Sequence, residues 1–257
     1  MNQLEYIQEL ISNGRWTFTT SDIAEKMEKD FYGKIYQLRQ TGRVINPARG
    51  FYVIVPEEYI GSERLPVERY IDSMMNHLSL PYYVGLLVAS SFYGASHQSP
   101  QQFQVMVPKN RRNITVNRNQ IIFYKKNKVN HIPITQRMVS TGYFNISTPE
   151  VTFFDLIEFS RQVGGLEQVG VIANELAEKM TNSALVEAVD YYSDAIIQRA
   201  GYLLEIIGQK SLATNLADYV KKRNPVYSFL IPSGNRERIN KHYQWKLFIN
   251  QELEIDL

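Results

Sequence analysis

Residues 44–55 read VINPARGFYVIV, two short runs of β-formers separated by Ala48-Arg49-Gly50. So short a connection leaves a β-hairpin as the backbone solution, with the glycine free to take positive φ. What precedes it decides what the hairpin belongs to. Leu4, Ile7, Leu10 and Ile11 recur at helical spacing before a stop at Asn13-Gly14. The stretch TTSDIAEKM opens with capping hydroxyls, carries Asp22 and Glu25 near the positive helix end, and presents Ile23, Ala24 and Met27 as an apolar face. Phe31, Ile35 and Leu38 then fall at i, i+4 and i+7, with Gly42 placed to end a third helix. Three short helices followed by a hairpin is the order of a winged helix-turn-helix.

If the stripe of the third helix faces inward, Gly33, Tyr36, Gln37 and Gln40 face outward, with Tyr32 and Lys34 on the flanks. The candidate DNA contacts are therefore Lys29, Tyr32, Lys34, Tyr36, Gln37 and Arg43, with Arg49 at the hairpin tip. Residues 29–50 hold five basic side chains and one acid, which puts positive charge where phosphates would lie. Small helix-and-hairpin modules also dock proteins, so an adaptor stays open at this point.

The fold class expected is α+β, an N-terminal winged helix-turn-helix over 1–56 followed by a larger mixed α/β domain. Two prolines and a glycine place a linker at 57–66, and the second domain spans 67–257. Within it, 67–78 reads as a helix and PYYVGLLVASSFYGA as another, mostly buried one. A strand-rich part covers 95–147, through FQVMVP, ITVN, QIIFYKK and HIPITQRMVSTGYFNIST. Helices fill 148–222: one begins at STPEVTFFDLIEFS, where Ser147 and Glu150 have capping-box spacing, and others run over 166–180, 182–189, 192–207 and 211–222. YQWKLFINQEL reads as a last strand.

Charge is divided unevenly along the chain. From Ser73 to Pro149 there is no acid, while Lys109, Arg111, Arg112, Arg118, Lys125, Lys126, Lys128 and Arg137 are basic. Nine acids and only two basic residues follow between Glu150 and Asp194. The first seven of those cations, from Lys109 to Lys128, form a possible surface for nucleic acid or an acidic partner.

The same stretch argues against catalysis, because nucleases gather carboxylates around a cation and this strand-rich region supplies none. Gly61-Ser62 is followed only by a lone Asp72, unlike the paired acids of nucleotidyltransferases. Ser90 and Ser91 have no accompanying base. Glu150 and Asp155 lie five apart on one helix and diverge by about 140°, which suggests capping or solvent exposure. There is no cysteine, and the four histidines are scattered, so neither a metal nor a cofactor is expected, nor enzymatic activity. The N-terminus lacks a basic start and an apolar block, and the longest apolar stretch is too short for a bilayer. A soluble cytoplasmic protein without membrane contact is expected.

The segments RGFYVIVPEEY, YYVGLLVASSFYGA, FQVMVPK, STPEVTFFDLIEF, RAGYLLEIIG and YQWKLFIN follow one another in this chain. Together they resemble the AbiEi antitoxins of abortive-infection toxin–antitoxin systems, over nearly the whole length. STPEVTFFDLIEF and RAGYLLE are the more telling stretches, and Ala200 stands where a larger apolar residue is expected before the glycine. The resemblance implies a bacterial transcriptional autorepressor whose winged helix binds inverted repeats of promoter DNA. Two inverted half-sites predict two copies per operator, so a monomer in solution or a dimer on DNA is expected. It further implies that the larger domain helps to counteract a nucleotidyltransferase toxin encoded next door, commonly without a stable complex, and that the antitoxin is not catalytic. The DNA-reading helix and wing of that family fall on Lys29 to Arg43 and on Arg49. The alternatives are a non-catalytic adaptor for an acidic protein or RNA, and an orphan winged-helix regulator.

Overall fold

The computed structural model describes residues 3–24, 31–62, 64–95, 100–236 and 239–256. It is a mixed α+β structure of two compact units. One gathers Met1–Val84, Gln101–Asn130 and Gln136–Ile146; the other gathers Gly85–Pro100, His131–Thr135 and Ser147–Leu257. The acid-free strands thus cluster with the amino-terminal segment.

The first unit begins with α1 (Gln3–Ser12), β1 (Thr17–Thr19), α2 (Thr20–Ala24), α3 (Phe31–Gln40), β2 (Val44–Ala48) and β3 (Phe51–Ile54). The three strands form an antiparallel sheet in the order β1-β3-β2. β1 was not expected from the sequence, since three residues of TFT are too few to show a period. Tyr6, Ile7, Leu10, Phe18, Ile23, Ile35, Leu38, Val44 and Ile54 make one core, with Phe18 stacked on Tyr52 at 5.2 Å between ring centres. Burying such a side chain stabilises by about 1.5–3 kcal/mol each, which is how helices this short persist.

The start of α2 is fixed by reciprocal hydrogen bonds. Thr19 donates both its amide (2.7 Å) and its hydroxyl (2.8 Å) to Asp22 Oδ2, and Asp22 N donates back to Thr19 Oγ1 at 3.3 Å. Arg15 Nη2 adds a 2.9 Å bond to Asp22 Oδ1. Burial pushes the Asp22 carboxyl upward, but the bonds from Arg15 and Thr19 outweigh it and hold its pKa below the ordinary aspartate value. A depressed carboxylate contributes stability that is present above the unfolded value and lost as pH falls through the folded one. Asp22→Ala is therefore expected to cost about 1–2 kcal/mol near neutral pH. In urea unfolding that deficit should shrink below about pH 4, and a deficit constant from pH 7 to pH 3 would contradict the assignment.

A 3-10 turn (Val67–Arg69) leads into α4 (Ile71–His77), so the helix expected over 67–78 is split, with its α-helical part beginning four residues later. Asp72 accepts from Tyr82 Oη at 2.9 Å and from Asn76 Nδ2 at 2.8 Å, a bracing role. The unit's larger sheet contains β4 (Tyr83–Val84), β5 (Gln102–Val107), β6 (Ile114–Val116), β7 (Asn119–Lys125), β8 (Ile134–Val139) and β9 (Gly142–Ser147), in the order β6-β7-β5-β4-β9-β8. β5 runs parallel to β7 and antiparallel to β4, and β4 runs parallel to β9.

PYYVGLLVASSFYGA is accordingly not one helix. Tyr83 and Val84, both fully buried, are a strand in the middle of the sheet. Gly85 is extended and Leu86 takes φ 56°, so α5 covers only Leu86–Phe92. An unbroken apolar run carries no period by which to separate a buried strand from a buried helix.

In the second unit, α5 is joined by α6 (Pro149–Glu158), α7 (Gly165–Ala177), α8 (Asn182–Ala188), α9 (Asp194–Ile206) and α10 (Lys210–Arg223). α6 packs against α5, α7, α8 and α9, and every residue from Glu150 to Ile157 is buried. A helix buried all round is a core element. Its cap is Thr148, whose hydroxyl accepts from Val151 N, rather than Ser147, whose hydroxyl meets Thr152 Oγ1 at 2.7 Å. The expectation that Glu150 and Asp155 cap this helix or face solvent is also corrected. Glu150 Oε1 accepts from Thr181 N at 2.9 Å, at the start of α8, and Asp155 Oδ1 accepts from Tyr192 Oη at 2.8 Å. Both acids are buried because tertiary partners replace water around them.

A small sheet of β10 (Ser228–Phe229), β11 (Asn240–His242) and β12 (Leu247–Ile249) completes the unit in the order β10-β12-β11. The expected last strand is shorter than YQWKLFINQEL, because Tyr243 to Lys246 turn to bury Trp245 against Gly201 of α9. Gln198 holds this arrangement. Its buried amide donates to Val226 O and Lys246 O, both at 3.0 Å, and its oxygen accepts from Ser228 Oγ at 2.8 Å.

Candidate nucleic-acid interface

Of the inward stripe expected of α3, Ile35 and Leu38 are buried as the spacing predicts, and the Phe31 side chain lies outside the described residues. Tyr36 is 61% exposed, and Gly33, Gln37, Arg39 and Gln40 are exposed as well. Lys34 is half-buried. The helix ends where Arg43 N and Thr41 N bond back to Leu38 O and Gln37 O and Gly42 takes φ 68°. Tyr32 lies in α3, and its side chain is outside the described residues, as is Lys29 altogether.

Arg43 is exposed and reaches Glu57 only at 3.9 Å, an exposed contact too weak to tie it down. The hairpin owes its shape to Asn46, whose Nδ2 donates to Ala48 O and Phe51 O at 2.7 Å each across a bulge between Ile45 and Ala48. Pro47 sits in that bulge, where its missing N–H costs the ladder nothing. Ala48 pairs with Phe51, so only Arg49 and Gly50 project beyond the strands, and the Arg49 side chain is exposed. The base of the turn is held from α4. His77 Nε2 lies 3.0 Å from Arg49 O, and its ring lies 5.4 Å from that of Phe51.

Of the seven cations expected on a strand-borne surface, Lys109, Arg112, Arg118, Lys125 and Lys128 are exposed. Arg111 is half-buried, its guanidinium 5.3 Å from the centre of the Phe123 ring. Lys126 is a correction, being only 3% exposed. Its amide donates to Val107 O at 2.8 Å, and after Ile121 and Phe123 the inward phase slips to residue 126 instead of 125. Simple alternation does not anticipate that slip.

Sequence reasoning missed a cleft of about 630 Å³ in the same unit. One wall is the end of α3 and the start of β2, through Tyr36, Arg39, Gln40 and Asn46. The segment after β3 supplies Tyr59 and Arg64, and the β6–β7 hairpin supplies Thr115, Val116 and Asn117. No described carboxylate lines it. Only tertiary folding joins these segments, so no local pattern could have marked them. Among the described residues no three His, Cys, Asp or Glu side chains gather as metal ligands, and no helix is long and apolar enough to cross a membrane.

No curated protein matches the chain. The crystal structure of the RV2827C protein from Mycobacterium tuberculosis is similar, with a TM-score of 0.68 over 95% of this chain and 89% of that one. At 13% identity the likeness is one of fold alone. Residues 83–206, from β4 through α9, match the family model described as the AbiEi antitoxin C-terminal domain. That domain supports an antitoxin role in a toxin–antitoxin system. The family matched over residues 83 to 206 is thus the AbiEi antitoxin family that the sequence resembles.

Proposed function

We propose that the chain is a cytoplasmic DNA-binding antitoxin that represses its own abortive-infection operon and counteracts a nucleotidyltransferase toxin encoded beside it. In this reading residues 1–56 act as a winged helix-turn-helix, 57–66 as the linker and 67–257 as the antitoxin domain. The observation that carries it is the division of α3 into a buried stripe, Ile35 and Leu38, and an exposed polar face of Tyr36, Gln37 and Gln40. A helix of that kind, followed by a hairpin with an arginine tip, suits entry into the major groove with the wing on the backbone. Because Arg49 and Gly50 alone project, the wing reaches a phosphate rather than a base edge.

The family match favours the antitoxin role, and the cations at Lys109, Arg111, Arg112, Arg118, Lys125 and Lys128 are proposed to face nucleic acid or an acidic partner. Inverted half-sites would take two copies of the chain. Two measurements in cells test the reading. The chain supplied in trans is expected to lower expression from a reporter driven by its own promoter, and to restore growth when the neighbouring toxin is induced. Unchanged reporter output would refute the repressor role, and failure to restore growth would refute the antitoxin role.

A further inference from the structure

The cleft beside the end of α3 has the chemistry of a phosphate seat. Arg39 projects from the exposed side of α3, and Arg64 comes from a separate segment about 25 residues later; both line the cleft and both are exposed. Among the described residues neither guanidinium is held in an ion pair, and no described carboxylate competes for them. The rest of the polar lining, including Gln40, Thr41, Thr115 and Asn117 and the phenols of Tyr36 and Tyr59, is neutral. Asn117 turns the β6–β7 hairpin with φ 52°, at a corner of the acid-free segment. Arginines with no described ion-pair partner, set among neutral side chains, suit a phosphodiester, whose oxygens accept the paired N–H bonds of a guanidinium.

We propose that this cleft seats the sugar–phosphate backbone of duplex DNA flanking the sequence read by α3, with Arg39 and Arg64 as the gripping residues. The inference rests on the DNA-binding reading above and extends it. Tyr36 belongs both to the reading face and to the cleft, so a strand leaving α3 passes directly into it. The contact lengthens the footprint on one side of each half-site and adds affinity without adding sequence preference.

The test is binding of the full chain and of Arg39→Ala/Arg64→Ala to a promoter duplex across a salt series, with hydroxyl-radical footprinting. Each lost phosphate contact lowers the log–log salt slope by about one. The double variant should therefore lose about two from the slope, bind roughly 30-fold more weakly near 0.15 M salt, and lose protection only on the flanking backbone. Its preferred half-site sequence should stay as in the wild type. Arg39→Gln/Arg64→Gln provides the same reading should the alanine pair unfold. Wild-type binding with slope and flank protection unaltered in either variant overturns the cleft assignment while leaving the reading helix intact. No wild-type binding to any promoter duplex overturns both.

Discussion

Trp245→Ala is expected to destabilise the second unit by about 3–5 kcal/mol, the range for deleting a fully buried tryptophan. The ring is completely buried, and its indole N–H donates to Glu205 Oε2. It lies on the bare backbone of Gly201, where an added Cβ would come within 2.0 Å of ring atom Cζ3 and 2.3 Å of Cη2. Gly201→Ala should therefore destabilise as well, by about 1–3 kcal/mol or more through overpacking. The two losses should not add. Once the ring is gone the methyl group has space, so the double variant should be no less stable than Trp245→Ala alone. Urea unfolding midpoints of the four proteins check this, and a double variant showing the full sum would remove the ring-on-glycine contact as the cause.

Neutralising Lys34, Arg43 and Arg49 together is expected to weaken promoter binding by roughly 100-fold near 0.15 M salt, and to lower the salt slope by about three. None of these side chains is buried, and among the described residues the only ion pair they make is the long contact of Arg43 with Glu57, so stability should hardly change. Gln37→Ala should behave differently. If its amide reaches a base edge, the preferred half-site shifts while the salt slope stays. Fluorescence anisotropy across a salt series, paired with binding-site selection, separates the two kinds of contact. A triple variant with wild-type slope would contradict the phosphate assignment.

These predictions lean on parts of the chain whose local chemistry matched their surroundings. The α3 stripe was readable because Ile35 and Leu38 sit at helical spacing against a polar face, and the hairpin because Gly50 supplies the positive φ that its turn adopts. The strand β4 was hidden, since a two-residue strand inside an apolar run takes its conformation from its neighbours β5 and β9. Glu150 and Asp155 misled for a similar reason, their partners Thr181 and Tyr192 lying 31 and 37 residues away. The cleft was invisible because it needs α3, Arg64 and the β6–β7 hairpin at once, three segments that no period connects. The resemblance carried more than spacing could, because STPEVTFFDLIEF is the helix on which α5, α7, α8 and α9 converge.

The central claim, that the polar face of α3 lies against duplex DNA, has a direct test because the chain contains no cysteine. Gln37→Cys can carry an iron chelate that cleaves DNA only where it comes close, with Glu187→Cys, exposed in the second unit, as the control. The account predicts cleavage from position 37 concentrated within each half-site of the promoter, and none of that pattern from position 187. Cleavage from position 37 that is absent, or scattered as it is from the control, would contradict it.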